Sequence, residues 1–347
     1  MIRVLIVGTG GMAHDHAKAY AAMDGVKIVA GIDTNPDNLE AFQKTFDIPH
    51  GFAAVEDALA WGDFDAVSNV TPDAVHHRTT MPFLAAGKHV LCEKPLATTA
   101  EDALSMAEAA ASAGVINMVN LTYRNVPALM KAAAMVAEGD IGAVRHFEAS
   151  YLQSWLTQPA WGDWTSEEQW LWRLSSAHGS MGVLGDVGVH ILDFASFAAN
   201  AAPREISCRL TTFDKAEGNR IGDYVLDAND SFAMHLQLDN GASGVIHASR
   251  FASGHLNDLR LRLYGTRGGL EVTFEGSVSR LRQCVDLESA TWAEVETPAV
   301  QTNYVRFIKA IAAKQPVAPD FARGAALQRA LDCAVQSDAQ DCRSLPV

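Results

Sequence analysis

Four stretches place reactive side chains at spacings that suit chemistry. Glu93-Lys94-Pro95 sets a carboxylate and an amine at the end of the apolar run Lys88–Cys92. Pro95 cannot donate to a strand ladder and disfavours helix at Lys94, so the chain must turn there. Open α/β sheets bind ligands at such carboxyl strand ends. Asp186 and His190, inside GSMGVLGDVGVHILDFASF (179–197), are spaced i, i+4 and share one helix face, with Asp193 a turn further on. A carboxylate beside an imidazole orients the ring and raises its proton affinity, which suits a general base near neutral pH. Taken alone, the first pair reads more often as strand-end solvation and the second as an intrahelical surface pair.

The other two stretches point to a dinucleotide. Gly8-Thr9-Gly10-Gly11-Met12-Ala13 matches G-x-G-x-x-[G/A] directly after the apolar run 2–7. Gly8 and Gly10 permit a tight turn and close backbone approach, and pyrophosphate can sit on the amides of Gly11 and Met12 at the helix start. A second apolar run, Lys27–Ile32, ends in Asp33, placed to take ribose hydroxyls. A capping role for Asp33 is redundant, because Asn35-Pro36 supplies cap and first turn. A carboxylate at 33 repels a 2′-phosphate, and the nearest downstream cation is Lys44, so NAD is expected and NADP is disfavoured.

The elements that carry these residues alternate. Strands are expected at 2–7, 27–32, 65–71, 88–92 and 115–120. Helices lie between them, among them one running from the glycine turn to Asp24-Gly25 and one opened by a capping box at Thr98-x-x-Glu101 and closed at Gly114. This alternation predicts an α/β domain, a Rossmann-type doubly wound parallel sheet over residues 1–121. Asn69, Thr71, Pro72 and His76 occupy another carboxyl-end loop that can line the nicotinamide side; an exposed helix start reads equally well for His76 and His77.

From 122 to 347 the pattern becomes extended: 143–153, 204–213, 230–238, 243–252, 258–265 and 269–274, with helices near 127–138, 302–313 and 322–337. This predicts an α+β domain on a large open, mostly antiparallel sheet. One helix-covered face leaves the other to bury, which suggests a homodimer or homotetramer through that sheet. Trp155, Trp161, Trp164, Trp170 and Trp172 crowd the stretch before the Asp186 helix. They suit a sugar-stacking lid or a subunit contact alike. Tyr123, Arg124, Trp161, Arg173 and His178 are candidates to meet substrate.

Composition narrows the function classes. At 347 residues two domains are expected, and 48% hydrophobic with 20% charged residues reads as an ordinary globular chain. A formal net charge of −14 without a basic cluster disfavours nucleic acid and anionic membranes. No apolar run reaches a bilayer's span, and no signal-peptide cleavage site follows the first strand. The 5 cysteines have neither CxxC nor metal-ligand spacing, so no metal is expected, and reduced thiols suggest a cytoplasmic protein.

In order and spacing, GTGGMA, Asp33, Glu93-Lys94-Pro95 and Asp186-x-x-x-His190 resemble the glucose–fructose oxidoreductase/inositol dehydrogenase/MocA family over nearly the whole chain. The resemblance implies a Rossmann domain plus an open-sheet domain and a bound nicotinamide cofactor contacted by Glu93 and Lys94 as well. It also implies reversible oxidation of a sugar, sugar-derivative or inositol hydroxyl. Lys94, Asp186 and His190 become the catalytic group, with His190 as the base, Lys94 on the reacting oxygen and Asp186 on a neighbouring hydroxyl. A cis Lys94-Pro95 peptide is implied too. Two other readings stay open: an enzyme that keeps and recycles its NAD, through sugar–sugar oxidoreduction or transient oxidation before elimination or hydrolysis, and a non-catalytic NAD- or sugar-binding sensor.

Overall fold

The computed structural model describes all residues, Met1–Val347. They form two compact units: Met1–Thr122 with Gln301–Gln328, and Tyr123–Val300 with Arg329–Val347. The expected second domain, 122–347, is therefore corrected: Gln301–Gln328 packs with the first unit. Its helix Asn303–Ala313 buries Phe307, Ile308 and Ile311 in that core.

The first unit is a six-stranded sheet of β1 (Ile2–Val7), β2 (Val26–Ile32), β3 (His50–Phe52), β4 (Ala66–Asn69), β5 (His89–Cys92) and β6 (Asn117–Val119). The strands run in the order β3-β2-β1-β4-β5-β6, every pair parallel. Val4, Leu5, Ile6 and Val7 are all buried, as a central strand covered on both faces requires. Between the strands run α1 (Gly11–Ala21), α2 (Pro36–Phe46), α3 (Val55–Trp61), α4 (His76–Ala85) and α5 (Ala100–Ala113). The Asn35 side chain accepts from the Asp37 and Asn38 amides at the α2 start, as expected. At α5 the cap is Thr99, accepting from the Asp102 amide, one residue beyond the expected box. Helix α1 stops short of Asp24, at Ala21, where Ala22 and Met23 close a turn onto Lys18 and Tyr20.

The second unit holds a nine-stranded sheet. Its strands include β7 (Val144–Leu152), β8 (Pro203–Thr211), and, beyond a two-strand hairpin of β9 (Arg220–Ile221) and β10 (Tyr224–Val225), β11 (Ser231–Leu238), β12 (Ser243–Ser249), β13 (Asp258–Gly265) and β14 (Gly268–Glu275). β15 (Val278–Cys284), β16 (Ala293–Val295) and β17 (Leu345–Pro346) complete it; these three and the hairpin escaped the sequence reading. The order is β16-β15-β14-β13-β7-β12-β11-β8-β17, and only β7 with β12 is parallel. Phe232, Met234, Leu236 and Leu238 on β11 point inward, with polar residues such as His235 between them. α6 (Pro127–Glu138) and, after the short α7 (Glu168–Leu171), α8 (Val189–Ala198) lie on the sheet. The opposite face carries a ladder of charge in which Arg262 bonds Glu148 and Glu271, and Arg282 bonds Glu271. No helix is long and apolar enough to cross a membrane.

Candidate functional site

In the first unit the candidate groups stand at the carboxyl ends of β1, β2, β4 and β5. Gly8 turns the chain after β1 with φ +84°, and a Cβ there would lie 2.8 Å from the Val70 carbonyl oxygen, so only glycine fits. Gly10 and Gly11 face open space where a Cβ would stand. The α1 N-cap is Gly10, without a side-chain cap, and no acidic residue occupies the first turn. Uncapped amides above a side-chain-free surface are a cradle for pyrophosphate, so this turn fits a dinucleotide. Asp33 sits beside it. One carboxylate oxygen accepts from the Thr9 amide at 2.8 Å and hydroxyl at 2.7 Å, and the other accepts from the Asn35 amide at 2.8 Å. Those bonds join the glycine turn to the β2 end.

At β4 the buried Asn69 side chain donates to Thr79 and Thr80, each at 2.8 Å, and accepts from Thr71, shaping the loop that leads to Pro72. His76 departs from the exposed helix start that its sequence allowed. It is not exposed but wholly buried, and both ring nitrogens are taken up by the protein, with Nδ1 2.8 Å from the Pro95 carbonyl and Nε2 2.8 Å from the Thr71 carbonyl. Two carbonyl acceptors call for two N–H donors, hence an imidazolium. Burial opposes that charge, but the Cys92 sulfur, the Asp73 carboxylate and the Pro95 carbonyl outweigh it and push the ring up to about 10. His76 thus fastens the loop after β4 to the loop after β5.

Glu93 is likewise engaged within the first unit. Its buried carboxylate accepts from His16 Nε2 at 2.8 Å and from the Asn120 amide, and its second oxygen accepts from the Lys94 amide. His16 continues to Ser68, and Asn120 to Tyr304 and Asn303. Burial disfavours the charged form, yet hydrogen bonds from His16 and Asn120 and the nearby Lys94 hold Glu93 down at about 2. Lys94 therefore stands between two anchored neighbours, and its peptide bond to Pro95 is cis.

In the second unit Asp186 and His190 occupy the expected helix, with one difference. Leu184–Gly188 is a π turn that runs into α8. Such wide turns recur at functional sites. Asn229 pins its start, accepting from the Val183 and Leu184 amides through backbone and side-chain oxygens. Gly185 lets Met181 lie against the turn, where a Cβ would come within 2.3 Å of the Met181 Cβ. His190 is buried and meets the Tyr123 ring edge-on, 4.9 Å between centroids. Tyr123 bonds Tyr151, which donates to Asn257 at 2.8 Å. Burial, with the Asp186 charge adding to it, pushes the Tyr123 phenol up to about 12, so it stays protonated and forms a wall behind the imidazole.

Arg124 is corrected from a substrate contact to a structural one. It grips Asp193 through two bonds of 2.6 and 2.8 Å, stacks over Phe197 and is buried. The tryptophan segment is not a loose loop. Trp155, Leu156, Leu171, Leu174 and Leu226 form a small core with Trp164, Trp170 and Tyr224 packed on it. Trp161 is 37% exposed at its edge, and the Arg173 guanidinium lies over Trp172. His178 lies against Tyr224, with ring centroids 4.3 Å apart and the planes tilted by 35°. Arg250, which sequence reasoning missed, is wholly buried and donates to Asp186 at 3.0 Å. No local pattern marks it; the only signal is a cation at the end of a strand of alternating apolar residues.

A parallel sheet in this strand order with a bare glycine turn, joined to a sheet domain bearing an imidazole and carboxylate one turn apart, defines a nicotinamide-dependent oxidoreductase. Comparison with known proteins makes this specific. The oxidoreductase family model with an NAD-binding Rossmann fold matches residues 2–121, and the GFO/IDH/MocA C-terminal domain model matches residues 129–271. The chain belongs to the Gfo/Idh/MocA family of oxidoreductases, whose NAD-binding domain it carries. It is similar to levoglucosan dehydrogenase of Pseudarthrobacter phenanthrenivorans, 28% identical over 300 residues, 79% of this chain and 74% of that one. Inositol 2-dehydrogenase of Rhizobium meliloti is 26% identical over 352 residues, 98% and 97% of the two chains. Among solved structures, levoglucosan dehydrogenase in complex with NADH matches with a TM-score of 0.88 at 26% identity, covering 100% of this chain and 99% of that one.

Proposed function

We propose that this protein is an NAD-dependent dehydrogenase that oxidises a ring hydroxyl of a sugar, sugar derivative or inositol, reversibly. The observation that carries the reading is the catalytic turn: a carboxylate and an imidazole one turn apart, on a backbone widened to π between them and walled by Tyr123. The relatives' names support the substrate class. The cofactor, when bound, accepts the hydride.

Gly8, Gly10, Gly11 and Met12 hold its pyrophosphate, and Asp33 the adenosine ribose, with Thr71 and Pro72 along the nicotinamide side. A 2′-phosphate would meet the Asp33 carboxylate with no cation at 34–36 to offset it, so NAD is preferred over NADP. His190 takes the hydroxyl proton. Lys94 donates to the same oxygen and stabilises its developing negative charge. Asp186 accepts from a neighbouring hydroxyl and orients the ring. Tyr123 supports His190, while Trp161 and Arg173 border the substrate.

The open face of the nine-stranded sheet, with its ladder of paired charges, is where we place a homodimer or homotetramer, since an isologous two-fold contact lets the arginines of one copy meet the glutamates of the other. All five cysteines are free and four are buried, which fits a reducing cytoplasm.

The test is absorbance of reduced nicotinamide with purified protein, NAD or NADP, and a panel of anhydrosugars, aldoses and inositols. Reduction of NAD by one class, lost in Lys94→Ala, is the expected result. Tightly bound NAD without net reduction would favour recycling. Bound NAD that no sugar reduces or exchanges would favour a sensor.

A further inference from the structure

We infer that Arg250 is a positioning residue that fixes the Asp186 carboxylate, ionised and oriented, for its part in the reaction. The inference rests on the proposed role of Asp186 and adds a residue to it. Arg250 is the largest fully buried side chain in the protein. A buried guanidinium needs a matching charge. Two carboxylates stand near it in this unit, Asp230 and Asp186. Asp230 is already matched: it meets Lys215 Nζ at 2.6 Å with both side chains wholly buried, and accepts from the Phe213 amide at 2.9 Å. Arg250 turns to Asp186 instead, donating from Nη2 to Oδ2 at 3.0 Å.

The guanidinium is held on two further sides. Nη1 donates to the Arg173 carbonyl at 3.1 Å, and the plane lies over Trp155, 5.0 Å to the ring centroid. A carboxylate bonded to so constrained a partner shares its fixed position. The contrast with Arg124–Asp193, a little further along the same helix, is instructive. That pair is closed, with two bonds and side chains 5% and 4% exposed, as a structural tie should be. In Arg250–Asp186 the arginine is 0% exposed and the aspartate 31%. One end is sealed in the protein and the other is wet, which suits a carboxylate that meets substrate. The other titratable or charged groups of this unit around the pair are Arg173, Lys215, Asp230, His190, Tyr123 and Tyr151, and burial keeps both phenols protonated.

The experiment compares Arg250→Met, Arg250→Lys, Asp186→Asn and the Met/Asn double variant, using the sugar that reduces NAD fastest. Measured are kcat, both KM values, the pH profile of kcat/KM and Tm. Arg250→Met should lower kcat/KM for the sugar at least about tenfold while leaving the KM for NAD in place. Its acidic limb should move up by up to about one pH unit, since the Asp186 charge beside the His190 base is no longer offset by a buried cation. Arg250→Lys should keep the limb near wild type and recover part of the rate, lacking only the planar fork. The double variant should be no slower than Asp186→Asn alone. A merely structural Arg250 would lower Tm and leave the limb unmoved, and that result, or multiplicative losses in the double variant, overturns the inference. Should Arg250→Met not fold, wild-type kcat/KM in Arg250→Lys overturns the orienting role. Full activity in Asp186→Asn would instead sink the role of Asp186 itself.

Discussion

The two units present their chemical groups by different means. In the first, the candidates sit where parallel strands end, and backbone does most of the shaping: a glycine turn, uncapped helix amides, and two carbonyls drawn together by His76. In the second, side chains do it. Asp186 leans on Arg250 from the end of β12, and His190 on Tyr123 from ahead of α6. A backbone-built site is local in sequence and tolerates side-chain change at its surface, whereas a side-chain-built site depends on partners far along the chain. Variants in the two units should therefore fail differently.

The largest effects fall on the proton-transfer groups. His190→Ala should lower turnover by about 10²–10⁴-fold, the range for a positioned base. Lys94→Ala should cost a comparable factor, because a donor to developing charge is lost. His190→Ala should bind NAD nearly as wild type, read by fluorescence titration, since His190 belongs to the second unit and not to the glycine turn. Turnover within threefold of wild type in His190→Ala would move the base to another residue.

Next come the anchors on either side of Lys94, which should set opposite pH limits on stability. Glu93 is depressed from 4.5 to about 2 in the folded protein, so the unfolded chain binds its proton first. The stabilisation is complete above about pH 4.5 and is lost as pH falls toward 2, amounting to about 3 kcal/mol at most. His76 is raised from 6.5 to about 10, so its contribution is complete below pH 6.5 and fades as pH rises toward 10. Denaturant midpoints measured across pH should show both flanks. Glu93→Gln should flatten the acidic one and His76→Asn the alkaline one; flanks unchanged in both variants would show that other groups set them.

How much was legible follows the same division. The glycine turn, Asp33, the strand ends and the Asp186–His190 spacing were readable because each is a short pattern with a local physical cause. The doubly wound parallel sheet followed from the alternation of strands and helices, although its three-residue edge strand β3 was not among the five strands expected. The burial of Arg124, Glu93 and His76 was not legible because burial of a charged residue depends on what the rest of the fold brings to it. Asp193 is 69 positions from Arg124, and Pro95 is 19 from His76. Arg250 was invisible for the same reason, 64 positions from Asp186. The π turn left no clear mark either, since its glycines read equally well as close packing in an ordinary helix. Strands β15 to β17, at or next to the edges of the sheet, escaped because they mix exposed and buried positions without regular alternation.

The smallest effects separate the two roles of glycine within the backbone-built site. Gly8→Ala places a Cβ at φ +84° and 2.8 Å from the Val70 carbonyl. The left-handed conformation alone costs an L-residue about 1–2 kcal/mol, and the carbonyl cannot move without disturbing β4. Tm should fall and NAD affinity with it. Gly10 has φ −73° and nothing within 4 Å of its would-be Cβ, so Gly10→Ala should leave Tm within a degree or so. Its methyl group would instead occupy the space above the uncapped amides, weakening NAD severalfold by titration with the fold intact. If Gly10→Ala bound NAD as tightly as wild type, that space would not be where the pyrophosphate lies, and the cofactor cradle would have to be sought elsewhere along the strand ends.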